Sequence, residues 1–391
     1  MPDILVPVTP DPREVAGTPS AREQAAAAAG PLLRDGWRLI AGPTPGPTAS
    51  DLEPLAGKCL VLLGYGNQGR AHALNLRDSG LAPIVCLRAG SPRATLARDD
   101  GLVVHESNEV LREADFILLA APDHAHASIA RDAIDPLAKP GATIGFLHGH
   151  SLFAGEVAPR EDLGVVMVAP KGPGTTVRAR YLEGRGIPAL IAVAQDPAGD
   201  ARARAIAWAK AIGCGRSGLV ETTFAAEAVS DLFGEQSVLC GGLLASISVA
   251  FEVMVEAGSP PELAYLECIH ELKQVADLLY ARGPSGMRAA ISETAEYGAL
   301  ELWRDRDRLI DRAYLERRLR EIAAGAFSQR MAADRAAGDA WLTAARRDAD
   351  ADPMESAGTA VRALMPWLIE QDAASRSTEL RSDRPSSESS R

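Results

Sequence analysis

The chain has 391 residues, 47% of them hydrophobic and 24% charged, with a formal net charge of -11. That size and apolar content suit two domains with a sizeable core, while the acidic balance and the lack of a basic stripe with interleaved aromatics argue against nucleic-acid binding. The five cysteines (Cys59, Cys86, Cys214, Cys240, Cys268) make no CxxC pair and read as reduced core residues rather than disulfides or metal ligands.

The first stretch, MPDILVPVTPDPREV, has no basic region leading into an apolar core and so does not read as a signal peptide. Residues 1–50 read as a Pro- and Ala-rich appendage and linker, with a short helix around Ser20 to Asp35 and turns through GPTPGPTAS. The texture then changes. KCLVLLG, PIVCLR, DFILLAA, TIGFLH, GVVMVAP and PALIAVAQ are short β-rich apolar runs separated mostly by helix-like stretches. Continuous apolar strands alternating with helices predict a doubly wound α/β domain, a parallel sheet covered on both faces, over residues 51–222.

From 223 to 370 nearly everything reads as helix. Residues 238–255 are the one membrane-length candidate, but Glu252 and the small Gly241, Gly242 and Ser246 interrupt it, which favours a buried core helix over a membrane span. The run RDRDRLIDRAYLERRLREI reads as a solvated helix face, and the polar residues 371–391 as a disordered tail. These features describe a cytoplasmic enzyme.

The stretch LVLLGYGNQGRAHAL places Gly64, Gly66 and Gly69 in the spacing GxGxxG between a strand and a helix. In that context the glycines serve a tight turn, the approach of a pyrophosphate to the backbone, and close packing of helix on strand. The helix N-terminus then offers free N–H groups and a positive dipole end to the phosphates. The turn as a whole, Gly64, Tyr65, Gly66, Asn67, Gln68 and Gly69, is the expected cofactor cradle. A strand ending in an acidic residue selects NAD, whereas the second strand here ends in Arg88, with Ser91 and Arg93 beyond it. Cations and a hydroxyl suit a 2′-phosphate, so NADPH is the expected cofactor.

Two pairs of carboxylates, Asp231 with Glu235 and Glu267 with Glu271, stand four residues apart in the most apolar region. Like charges at that spacing share a helix face and repel. Burying them uncompensated costs more still, so four carboxylates on two helices point to hard cations, Mg²⁺ before Mn²⁺, and up to two of them. Glu267 and His270 also form ExxH, a di-iron bundle motif, but no second ExxH occurs in the helical region.

GYGNQG, HGH, APKGPG, ETTF, DLFGEQ, ECIHELK and ISETAEYG follow one another in this order, from about Leu55 through MPWL at 365–368. The chain therefore resembles the ketol-acid reductoisomerases, and its single set of carboxylate motifs resembles their short class. The resemblance implies a Rossmann domain followed by a knotted all-helical domain. It implies alkyl migration in a 2-acetohydroxy acid of the 2-acetolactate class, then NADPH reduction to the 2,3-dihydroxy acid, in isoleucine and valine biosynthesis. By motif, Asp231 would bridge two Mg²⁺ ions, Glu235 would bind one of them, and Glu267 and Glu271 would approach the second. His148, Lys171 and Glu271 would act in catalysis, with His148 beside the nicotinamide, and Ser292 would hold the substrate carboxylate. Glu267, Glu271 and Ser292 would come from a partner subunit, which implies a homodimer or higher homo-oligomer. Arg70, where the family often has histidine, and GHSLFAG, in place of a GFN-type sequence, are departures. They leave open a related acetohydroxy acid of specialised metabolism. A metal-independent NADP dehydrogenase of β-hydroxyacid type and a silent NADPH-binding relative are the alternatives.

Overall fold

The computed structural model describes residues 37–368. The expected helix around Ser20 to Asp35 and the tail from 371 lie outside them. Nine strands form one sheet: β1 Arg38–Ala41, β2 Leu60–Leu63, β3 Pro83–Cys86, β4 Val103–His105, β5 Phe116–Leu119, β6 Thr143–Phe146, β7 Gly164–Pro170, β8 Ala189–Gln195 and β9 Leu219–Glu221. Their spatial order is β1-β9-β8-β7-β6-β5-β2-β3-β4.

The six strands β4-β3-β2-β5-β6-β7 are all parallel. Side chains on successive strand residues enter opposite layers. Leu60, Leu62, Phe116 and Leu118 pack with Trp208 on one face, and Val61, Leu63, Ile117 and Leu119 pack with Phe146 on the other. Burial on both faces explains why the strands read as unbroken apolar runs. The chain leaves β2 towards β3 and β4, then crosses back to β5, so the order reverses beside β2. Ligands bind at such a reversal, outside the carboxyl ends of the strands.

The parallel expectation does not extend to the whole sheet. β8 runs antiparallel to β7, and β1 antiparallel to β9. The connection from β7 to β8 carries the helix Gly174–Leu182, which stays at one end of the sheet instead of crossing back over it. Arg178 fixes it to the helix Asn67–Asp78, through Asn75 at 2.8 Å and Asp78 at 2.6 Å. The segment read as linker through residue 50 also needs correction. Its residues Arg38–Ala41 form the edge strand β1, and Arg38 pairs with Glu221 of β9.

Beyond β9 the structure is helical, as expected: Phe224–Gly234, Gly241–Glu256, Pro261–Tyr265, Glu271–Arg288, Glu293–Arg304, Arg312–Ala323, Ala326–Ala336, Ala340–Asp350 and Pro353–Ala363 are its main helices. Two segments, Glu235–Leu239 and Leu266–His270, are wound as π-helix. The fully buried apolar cluster of this region is small: Phe251, Ala264, Tyr265, Ala357 and Val361. Meanwhile Leu239, Leu244, Val249, Val253, Tyr297, Trp303 and Trp341 are each more than half exposed. The run Phe224–Glu256 is long and apolar enough to cross a membrane, yet only 11% of its most apolar window is buried in the chain. The expectation of a buried core helix at 238–255 therefore fails within one chain: among the described residues only its side carrying Ile247 and Phe251 is covered, and Leu239, Leu244, Val249 and Val253 are left exposed. The charged run, by contrast, is not wholly solvated: Arg318 reaches Gln236 at 2.5 Å and Glu321 at 2.9 Å.

Candidate active site

The glycine turn closes the carboxyl end of β2. Gly64 has φ +110°, and a Cβ there would stand 2.5 Å from the carbonyl oxygen of Ala120, so both the turn and the neighbouring strand end demand glycine. A Cβ on Gly69 would meet Gly64 O at 2.8 Å and Ala120 Cβ at 3.1 Å, the close packing of helix on strand. Gly66 differs: only an Arg93 nitrogen, 3.9 Å away, lies near where its Cβ would be. Its missing side chain serves open space beside the helix N-terminus, which suits an incoming pyrophosphate.

The non-glycine side chains of this turn are directed elsewhere. Tyr65 is buried and its hydroxyl donates to Asp100 Oδ2 at 2.7 Å. Burial and the adjacent carboxylate push this phenol well above its ordinary range. Arg70 grips the same carboxylate with two bonds, of 2.7 and 2.9 Å. Asn67 Oδ1 accepts from Thr175 N at 2.7 Å, and Gln68 Nε2 donates to Gly172 O at 2.9 Å. As cradle residues, Tyr65, Asn67 and Gln68 thus offer backbone, while their side chains brace the surrounding loops. Beyond β3, Arg88 is exposed, Ser91 caps the helix Pro92–Asp99, and Arg93 donates to Tyr65 O at 2.7 Å.

Lys171 follows β7, and its ammonium lies 2.7 Å from Glu227 Oε1 and 2.8 Å from Asp231 Oδ1. Burial works against the charge, but these two carboxylates hold the lysine above its usual pKa. Glu227 is 1% exposed and also accepts from Gly149 N at 2.7 Å. Sequence reading missed Glu227. The signal was there: Glu227, Asp231 and Glu235 repeat every four residues and share a helix face. Glu235 is raised in pKa, mainly by desolvation and then by Asp231.

His148 follows β6. Its Nε2 lies 2.9 Å from Asp123 Oδ1, and its Nδ1 accepts the backbone N–H of His150 at 3.3 Å. That network places the imidazole proton on Nε2. Burial opposes protonation, but the Asp123 hydrogen bond and charge raise the pKa of His148. Asp123 itself is held down to about 2; burial opposes this, and the His148 hydrogen bond outweighs it. His126 stacks on His148 at 5.7 Å, bonded to Ser151 and to the Ala121 carbonyl, and burial lowers its pKa to about 4. Asp123, His126 and Ser151 were also missed; the PD after a strand was the available signal for Asp123.

The four metal carboxylates expected from sequence do not converge in one chain. Among the described residues, the one group of three or more metal-competent side chains within 4.8 Å is Asp123, His126 and His148. Glu235, Glu267 and Glu271 are exposed. The argument from buried charge therefore fails for the single chain, because these carboxylates are open to solvent. Ser292 is exposed and caps its own helix, accepting from Ala295 N at 3.2 Å. Both carboxylate pairs nonetheless adjoin π-helical turns, a winding frequent at functional sites.

Two family profiles match. "Acetohydroxy acid isomeroreductase, NADPH-binding domain" covers residues 54–218, and "Ketol-acid reductoisomerase, C-terminal domain" covers 224–367. Among solved structures, an NADH-preferring ketol-acid reductoisomerase from an uncultured archean is similar at 37% identity and TM-score 0.75, over 79% of this chain and 95% of that one. A semialdehyde dehydrogenase NAD-binding protein from Cupriavidus necator, solved with calcium and NAD, matches at 24% identity and TM-score 0.50, over 68% of this chain and 99% of that one, which extends to the fold alone.

Proposed function

The chain belongs to the ketol-acid reductoisomerase family, and from that premise we propose that it works as an NADPH- and Mg²⁺-dependent enzyme whose site is completed by a second copy. As a member it is an NAD(P)-dependent oxidoreductase and isomerase of branched-chain amino-acid biosynthesis, acting on a small 2-acetohydroxy acid.

The observation that carries the metal reading is the charge balance around Lys171. Glu227 and Asp231 share that one ammonium, and Glu235 lies beyond it. Asp231 Oδ2 and the Glu235 carboxylate accept no hydrogen bond from the described residues. An all-oxygen, anionic donor set suits Mg²⁺. Asp231 and Glu235 would hold it from one chain, and Glu267 and Glu271 from the partner, with Ser292 of the same partner helices binding substrate carboxylate. When bound, such ions polarise adjacent oxygens, and the nicotinamide supplies the hydride.

The chain's own residues do the rest. Glu227, fixed by Gly149 N–H, holds Lys171 beside Asp231, so positive charge stands where the substrate oxygens gather. His148 stands at the end of β6 with Nε2 against Asp123, which follows β5, the strand beside the cofactor turn; that carboxylate favours the imidazolium, the form that can give a proton to the reduced oxygen and return to the neutral imidazole. Arg88 and Arg93, with no acidic residue at the end of β3, favour a 2′-phosphate. The NADH preference in the similar archaeal enzyme makes this the finer point to test.

The test is reduced-cofactor oxidation with 2-acetolactate and with 2-aceto-2-hydroxybutyrate, with and without Mg²⁺, comparing NADPH with NADH. Turnover should vanish on chelation, and kcat/KM should favour NADPH by roughly tenfold or more, the value of about 1.4 kcal/mol of 2′-phosphate recognition. Turnover that survives chelation sinks the metal assignment; parity or reversal sinks the cofactor assignment.

A further inference from the structure

The helix that opens on the glycine turn directs its first two side chains onto the loop that carries Lys171. Gln68 Nε2 donates to Gly172 O at 2.9 Å, and its Oε1 is shut off from solvent. The helix Gly174–Leu182 starts from Pro173, which has no side-chain acceptor to satisfy its free N–H groups. Asn67 supplies that acceptor from another element, taking the Thr175 N–H at 2.7 Å. The backbones also touch, since a Cβ on Gly174 would stand 2.4 Å from Asn67 O. On its other side the loop is pinned by Lys171 N donating to Pro188 O at 2.9 Å.

We propose that the side chains of Asn67 and Gln68 position Lys171 and do not contact the cofactor, which meets only their backbone. They tie the 171–175 loop to the turn, so the ammonium is held against Glu227 and Asp231 by the same element that receives the dinucleotide. Without the tether, the loop keeps its covalent ends but loses the side that sets where Lys171 points. A displacement of about 1 Å at such a group can cost as much as a hundredfold in rate. This inference rests on the assignment of Lys171 to the catalytic centre.

The experiment uses the full chain with Gln68→Met, which keeps length and removes the donor, and Asn67→Ala. Two quantities are read for each: kcat at saturating NADPH and Mg²⁺, and NADPH Kd by fluorescence titration. The expected result is a roughly tenfold or greater loss of kcat with Kd within about twofold of wild type. Asn67→Asp retains the acceptor for Thr175 N–H, so it should recover kcat while its added charge weakens NADPH binding. In Gln68→Met and Asn67→Ala, a weakened Kd with kcat intact would make these side chains cofactor ligands and overturn the proposal, as would no change in either quantity. Circular dichroism identifies a variant that fails to fold, in which case the other variant decides. Wild type that lacks Mg²⁺-dependent turnover refutes the underlying assignment; active wild type with unaffected variants refutes only the tether.

Discussion

At the scale of residues, the chemistry depends on who is paired with whom. Glu227 is the clearest case, a buried carboxylate answered by Lys171 and a backbone N–H. Glu227→Ala should destabilise the fold by about 2–4 kcal/mol and remove most turnover, since a buried ion pair loses one member. Glu227→Gln should recover stability more than activity, because it keeps the bond to Gly149 N but not the charge on Lys171; thermal melts and initial rates check both. His72 sets a different dependence. It is fully buried, accepts the Trp208 indole N–H at 3.1 Å, and desolvation lowers its pKa from 6.5 to about 3. Between those values the unfolded chain takes up a proton that the folded chain refuses. Stability from this group is therefore complete above pH 6.5 and is lost as pH falls through the window. His72→Gln should make the Tm of the protein less steep in pH between about 6.5 and 4, and superimposable slopes would refute the account.

At the scale of elements, the glycine turn and the strands buried on both faces were legible because local need and composition agree. Gly64 and Gly69 are required by positive φ and close approach, and β2, β5, β6 and β7 are buried on both faces. The short strands RLIA, VVH and LVE were not legible. These strands are only partly buried, so they carry no continuous apolar run, and their order comes from a neighbour's hydrogen bonds, as with β1 on β9. Nor were the π-helical turns legible, although LCGGLL marks one of them in hindsight. A Cβ on Gly241 would lie 2.4 Å from Gln236 O, and on Gly242 1.9 Å from Ser237 O. Gly242→Ala should therefore unwind the Glu235–Leu239 turn, costing on the order of 2 kcal/mol or more in stability and reducing Mg²⁺-supported activity. A variant with wild-type Tm and rate would show that the turn does not need the glycine.

At the scale of the whole molecule, the two halves differ in completeness. The sheet domain has a continuous core on both faces. The helical region gathers few apolar side chains into its buried cluster and leaves the large Leu244, Val253, Trp303 and Trp341 exposed, side chains of the kind that mark an interaction surface where they lie together. Among the described residues, Asp231, Glu235, Glu267 and Glu271 likewise form no cluster at metal-binding distance. Sequence spacing pointed to the two carboxylate pairs as separate helix faces; that they belong to different subunits was implied only by the family resemblance, because spacing speaks only of a single helix. Both shortfalls are met if a second copy packs on the exposed helices and brings its own Glu267 and Glu271.

Subunit complementation tests that arrangement most directly. Asp231→Ala and Glu271→Ala should each be inactive as pure oligomers. Dissociated and reassembled together in equal amounts, they should regain about a quarter of wild-type activity, because half of the dimers are mixed and each mixed dimer has one intact site. Mixed dimers that form, as shown by two different affinity tags, yet remain inactive would contradict a site shared between chains.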